Sequence, residues 1–235
     1  MVIVCNIEIM ADCVHLPSSR RSDLGFFTAP NSKSLIAHYF FMIRSKDDYL
    51  KYLEADRIAL SRPARTIMSN FIALINPDYI WNFQRLLRRL EYLKNVKSSG
   101  LINSILYLYL KLKFKKMSLS LGFSIPENVF GPGLAIVHYG TIVVNKNSRV
   151  GANCRIHADT NIGASGGTDR APCIGDNVYI APGVKVFGDI QIPSNTALGA
   201  NAVVNRSFNE EGTLIAGVPA KVIGKLDIKQ LIKHI

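Results

Sequence analysis

The sequence is short of acids, of paired cysteines and of long apolar runs, and each shortage closes off a class of protein. Asp and Glu number 17 against 28 Lys and Arg, a formal net charge of +11. That balance suits an anionic partner, a membrane surface or a phosphate-rich cofactor, or else marks a solvated basic face. The four cysteines, Cys5, Cys13, Cys154 and Cys173, form no CxxC pair and have no histidines at zinc-binding spacing. A zinc module is excluded, no metal is expected, and a reducing compartment fits best. The longest apolar stretches, LIAHYFFMI at 35–43 and LINSILYLYL at 101–110, fall well short of the roughly 20 residues that cross a bilayer. The start, MVIVCNIEIMADCVHL, lacks a basic opening and is interrupted by Glu8 and Asp12, unlike a secretory leader. No base-stacking aromatic platform or helix-turn-helix pattern is present, so nucleic acid is not an expected partner. A soluble, cytoplasmic protein is expected, touching the inner membrane face peripherally at most.

What is present is a beat of six. Counting from Val144 gives Val150, Ile156, Ile162, Ile174, Ile180, Val186, Ile192, Leu198 and Val204. Only Thr168 falls on the beat without being a large aliphatic. Four residues after each beat comes a second, mostly small, position: Ser148, Cys154, Thr160, Gly166, Val178, Val184, Ile190, Thr196, Ala202. Neither a helix nor an alternating strand has this period. A regular repeat means a small unit that must stack on copies of itself to bury its apolar face. Three beats make one triangular coil of short strands, with Gly131, Gly133, Asn145, Asn147, Asn153, Asn161, Gly183, Asn195 and Asn201 as corner residues tolerant of left-handed backbone. The prism is filled by its own side chains, so chemistry must lie on its outside.

The chain before the repeat has another texture. Residues 1–41 are irregular, and 42–120 read as a helical domain. Ser45 followed by Asp47 and Asp48 predicts an N-cap with an acidic first turn. A second helix is predicted from Asp78, with Ile80, Phe83, Leu86, Leu87 and Leu90 along one side. Ser98-Ser99-Gly100 breaks it, and a third follows. Between 85 and 116 stand Arg85, Arg88, Arg89, Lys94, Lys97, Lys111, Lys113, Lys115 and Lys116 against the single acid Glu91. This reads as a solvated helix face or as a basic amphipathic surface for an anionic membrane. The repeat spans 121–224, and the tail 225–235, with LDIKQLIKHI, is predicted as a closing helix.

The runs VGANCRIHADTNIGASGG and CIGDNVYIAPGVKVFGDIQIPSNTALGANAVV, with the ending AGVPAKVIG, resemble the hexapeptide-repeat acyltransferases. Within them, GPGLAIVHYGTIVVN is similar to the serine acetyltransferase branch, including the capsule and exopolysaccharide O-acetyltransferases, over roughly residues 42–224. The resemblance implies a mainly β fold, a left-handed parallel β-helix preceded by a small helical domain. It also implies acetyl-CoA as co-substrate and a homotrimer with active sites shared between copies.

Of five histidines, His15 and His38 precede the regular region and His234 lies in the tail. His138 sits on the beat where later coils place an aliphatic, and Val137-His138-Tyr139-Gly140-Thr141 matches the family's catalytic-histidine segment, which makes His138 the expected general base. His157, one residue past a beat, is expected to point outward, as a surface or secondary candidate. Tyr139, Arg170 and Glu127 are the expected acceptor contacts. Gly163, Ala164, Ala181, Gly183, Gly199 and Ala200 match positions where coenzyme A approaches the backbone, or else serve as corners, and Lys221 is placed to meet a phosphate. The family's serine-specific members carry an aspartate where this chain has Val137, and Arg-His-Pro where it has Arg170-Ala171-Pro172. The expected reaction is therefore acetyl transfer to a saccharide hydroxyl. Serine O-acetylation and a non-catalytic assembly role are the alternatives.

Overall fold

The computed structural model describes residues 42–64, 66, 75–96 and 100–235. All belong to one compact unit of the chain. The readings placed on residues 1–41, including Cys5, Cys13, His15 and His38, and on Lys97, Ser98 and Ser99 lie outside the described residues.

Among the described residues three helices come first: α1 (Lys46–Ala59), α2 (Tyr79–Asn95) and α3 (Leu101–Leu121). Their starts follow from capping chemistry. Ser45 Oγ accepts the amide of Asp48 at 3.0 Å, and Asp78 Oδ1 accepts that of Trp81 at 3.0 Å. Gly122, in left-handed backbone at φ +79°, ends α3. Phe83 of α2 stacks on Phe114 of α3 with ring centroids 4.8 Å apart, and meets Phe123 edge-on at 5.0 Å.

Fourteen short strands follow, numbered in chain order, and they sort into three faces. The first holds β1 (Phe123–Ser124), β3 (Ile142–Val144), β6 (Thr160–Gly163), β9 (Lys185–Phe187) and β12 (Val203–Val204). The second holds β4 (Arg149–Val150), β7 (Cys173–Ile174) and β10 (Gln191–Ile192). The third holds β2 (Ala135–Ile136), β5 (Arg155–Ile156), β8 (Tyr179–Ile180), β11 (Ala197–Leu198), β13 (Thr213–Gly217) and β14 (Ala220–Lys225). Every pairing is parallel except the β13–β14 hairpin that closes the end. The architecture is the left-handed parallel β-helix, mainly β with a small helical part before it.

The beat is the core. Ile156, Ile162, Ile180, Val186, Leu198 and Val204 are all fully buried, stacked coil on coil. A standard coil has 18 residues, as from Ile174 to its partner Ile192. Val150 instead pairs with Ile174, 24 residues on. The six added residues lie in the loop after β6, equal one repeat, and leave the beat in phase. Thr168 and Gly166 therefore sit in this loop and occupy no inward slot. At the corners, left-handed backbone falls on Gly133, Asn153, Asn177 and Asn195 along one edge. Their amides form a ladder, Asn153 to Asn177 and Asn177 to Asn195 at 2.9 Å each, ending on Glu211 at 2.9 Å. Asn145, Asn147 and Asn161, expected at such corners, are not left-handed; Asn161 lies within β6. The closing helix reduces to a single 3-10 turn, Ile228–Gln230, capped by Asp227. Ile228 and Ile232 are held down on Ala197 of the third face.

The first coil has no coil above it, and α2 takes that place. Gln84, Arg88, Glu91 and Asn95 form one stripe of α2 lying across the open backbone. Gln84 donates to Leu134 O at 2.7 Å and accepts from Ile136 N at 3.2 Å. Arg88 is fully buried and places all five of its N–H donors: on Asp56 twice, on Glu91, and on the carbonyls of Phe130 and Gly131. Asp56 also accepts the amides of Gly133 at 2.9 Å and Leu134 at 2.8 Å, and Glu91 that of Asn128 at 2.8 Å. Arg88, counted above among the surface cations, is a core residue. Arg88→Met strands Asp56 and Glu91 as buried charges, which costs about 3–5 kcal/mol. Urea denaturation should show a loss of that size, and a loss below about 1 kcal/mol would remove the network from its structural role.

Candidate active site

The edge joining the third face to the first carries the histidines. Its topmost corner is long. Ile136 pairs with Ile156, 20 residues on, whereas Ile142 pairs with Thr160, 18 residues on. The two extra residues bow the segment Val137–Thr141 outward, leaving His138 exposed and Tyr139 73% exposed. His138 is thus on the numerical beat without filling an inward slot, which belongs to Ile136. The bow is pinned at both ends. Val137 N donates to Ile156 O at 3.1 Å, Gly140 N to Leu121 O at 2.9 Å, and Ile142 N to Gly122 O at 3.0 Å. Gly140 adopts φ +134°, closed to side-chain-bearing residues. His138 therefore stands in solvent on a fixed base.

His157 lies one coil below, and it is not a surface residue. It is 8% exposed, against the expectation of an outward, solvated ring. Ile156 just before it pairs with Ile180 of β8, so the residue level with His157 on the coil below is the small Ala181. Nδ1 is 2.9 Å from Ile180 O, and the Tyr179 ring lies tilted against the imidazole with centroids 4.9 Å apart and its hydroxyl 3.5 Å from Nε2. A carbonyl only accepts, so Nδ1 carries the hydrogen and Nε2 the lone pair. Burial pushes the His157 pKa down, and charge on Arg155 and His138 lowers it further, against the opposing hydrogen bond to Ile180. The ring is neutral at pH 7.

Ala181, Gly183, Gly199 and Ala200 occupy the same edge in the coils below His138. Packing alone accounts for both glycines. A Cβ at Gly183, where φ is +79°, would lie 1.9 Å from Asn201 Oδ1, and one at Gly199 would lie 2.8 Å from Ala216 Cβ. Each of the four contributes at most a methyl group to that edge. Beyond it Lys221 on β14 is exposed and has no ion pair among the described residues, while Lys225 is bound to Glu210 at 2.5 Å.

The other candidates stand elsewhere. Gly163, Ala164 and Arg170 belong to the edge between the first and second faces, where the six-residue insertion projects. Arg170 is exposed and pairs with Asp189 at 2.9 Å. Glu127 lies on that same edge and is not brought to His138. Its carboxylate is bonded to Lys111 of α3 and lies 3.5 Å from Lys94 of α2, so it ties the helices to the first coil. Burial raises its pKa, but Lys111 and Lys94 outweigh this and hold it below the usual carboxylate value. Among the described residues no cluster of His, Cys, Asp and Glu is suited to a metal ion.

No family profile matches the chain. The serine acetyltransferase of Mycobacterium tuberculosis is 36% identical to it over 102 residues, 43% of this chain and 44% of that protein. The chain thus spans less than half the length of that relative. The solved serine acetyltransferase of Neisseria gonorrhoeae is 26% identical with a TM-score of 0.54, over 77% of this chain and 66% of the other. That of Brucella abortus in complex with coenzyme A is 21% identical with a TM-score of 0.57, over 83% and 73%. These findings overturn the expected saccharide acceptor and its capsule-type branch, since the matches carry the name of the serine enzyme. The departures at Val137 and Ala171 had suggested otherwise. They are substitutions within a chain whose relatives are serine acetyltransferases.

Proposed function

We propose that the chain is an acetyl-CoA-dependent serine O-acetyltransferase in which His138 is the general base. The supporting observation is the sequence identity with a serine acetyltransferase in a chain whose β-helix edge holds an exposed, firmly based histidine above a run of small residues. In this reading His138 takes the proton of the serine hydroxyl as its oxygen attacks the thioester carbonyl carbon. The tetrahedral intermediate then collapses, the C–S bond breaks, and the proton passes to the departing thiolate. Ala181, Gly183, Gly199 and Ala200 let the cofactor lie close to the backbone, and Lys221 meets a phosphate as a point charge. Thiol release from acetyl-CoA should depend on serine, and His138→Ala should lower kcat by about 10²–10⁴. Release no faster with serine than without it, or an undiminished His138→Ala, contradicts the reading.

We also propose a homotrimer in the cytoplasm, working against an anionic membrane face. The trimer is supported by the distribution of candidates. His138 and Arg170 occupy different edges of one prism, and only a neighbouring copy can bring such edges together. For the membrane, α3 has an outer stripe of Leu101, Ile102, Ile105, Leu108, Tyr109 and Leu112, each at least 59% exposed. Its charged residues are all lysines, Lys111, Lys113, Lys115 and Lys116. No helix among the described residues is long and apolar enough to cross a bilayer. Sedimentation should show a species of three 26.0-kDa chains that pellets with phosphatidylglycerol vesicles and stays in solution with phosphatidylcholine. A monomer removes the shared site, and equal pelleting with both lipids, or with neither, removes the anionic surface.

A further inference from the structure

A histidine acting as base works best when its second nitrogen is held, and His138 has no such partner among the described carboxylates. Asp159, the acid at the matching corner one coil below, is engaged by Lys185 at 2.9 Å. Glu127 is engaged on another edge by Lys111 and Lys94. The fixed acceptor beside the His138 corner is an imidazole. Val137 N donates to Ile156 O at 3.1 Å, which seats the segment carrying His138 directly on the strand that runs into His157. Ile180 O holds His157 Nδ1 at 2.9 Å, so Nε2 presents its lone pair. Tyr179 Oη, at 3.5 Å, is too distant to consume that lone pair in a strong hydrogen bond.

We propose that His157 is the positioning residue for His138, its Nε2 accepting an imidazole N–H of His138 so that a histidine pair replaces a histidine–carboxylate pair. The proposal rests on the reading of His138 as the base. During acetyl transfer His138 gains the proton of the acceptor hydroxyl and becomes an imidazolium with two N–H groups. One stays donated to His157, and the other returns its proton to the thiolate, so His157 ends as it began. The surroundings keep it neutral throughout. The titratable and charged groups facing it are Arg155 two residues before it on β5, His138 from the corner above and Tyr179 from β8. Burial together with the two positive neighbours pushes its pKa down, so the proton on His138 is not lost to it.

The test is nitrogen-15 NMR of the histidine rings in the full chain, joined to kinetics. In the wild type, His157 should be mostly neutral with the hydrogen on Nδ1 at pH 6.5, and His138 should show one dominant neutral tautomer. In His157→Leu, His138 should revert to the tautomer mixture of a free imidazole. With acetyl-CoA and serine, His157→Leu should lower kcat by about tenfold to a hundredfold at unchanged KM for acetyl-CoA and displace the acid limb of the pH profile. His157→Gln, whose amide oxygen can still accept, should restore most of the loss. A free-imidazole mixture at His138 in the wild type overturns the proposal without recourse to any variant. So does a tautomer ratio identical in wild type and His157→Leu. If the ratios differ as expected but no serine is acetylated, the positioning stands and the proposed reaction falls.

Discussion

Everything in this molecule rests on closing the open end of a parallel coil. Each coil of a β-helix pairs its backbone with the coils above and below, so the first one presents unpaired N–H and C=O groups over an apolar interior. Left uncovered in that position, such groups cost as much as the lost hydrogen bonds. Here α2 supplies the missing coil from its side chains. Gln84, Arg88 and Glu91 meet the carbonyls of Phe130, Gly131 and Leu134 and the amides of Asn128 and Ile136, and Asp56 of α1 takes the amides of Gly133 and Leu134. A buried ion triad is often replaceable by apolar residues without loss. This one differs, because its carboxylates also accept backbone amides that an apolar side chain would leave unpaired.

With the end capped and the interior filled, only the edges are free to vary, and they vary by length. Two added residues at one corner extrude His138 and Tyr139. Six added residues at another project Arg170 without disturbing the stack, because six is one repeat. In both places a regular scaffold carries an irregular segment whose ends are tied to neighbouring coils. Side-chain placement at the histidine edge is thereby inherited from the β-helix, down to the carbonyl of Ile180 that sets the His157 tautomer.

The aliphatic beat made the prism legible in the sequence, because a fully buried stack tolerates few other residues at Ile156, Ile180 or Leu198. Helix starts at Ser45 and Asp78 were equally legible, since capping is local chemistry. Arg88 was not. A stripe of Gln, Arg and Glu on a helix has the pattern of a solvated face, and only the open coil beneath it reverses the meaning. Counting in sixes also misplaced His138 by two residues, because the beat stays in phase across a six-residue insertion but not across a two-residue one. The burial of His157 is not legible either, because period alone gives direction and not cover. That Arg170 and Glu127 stand on a different edge from His138 is not legible either, because the count of residues between them does not reveal which corner of the prism each one reaches.

The central claim is that side chains of α1 and α2 act as the missing coil. Native-state hydrogen exchange at the amides of Asn128, Gly133, Leu134 and Ile136 tests it directly, since each donates to a side chain of the helical domain. The account predicts that these amides exchange only through global unfolding, as slowly as the inner-coil amides of Tyr179 and Ala181. Exchange at the rates of an exposed loop, with the inner coils still protected, would contradict it.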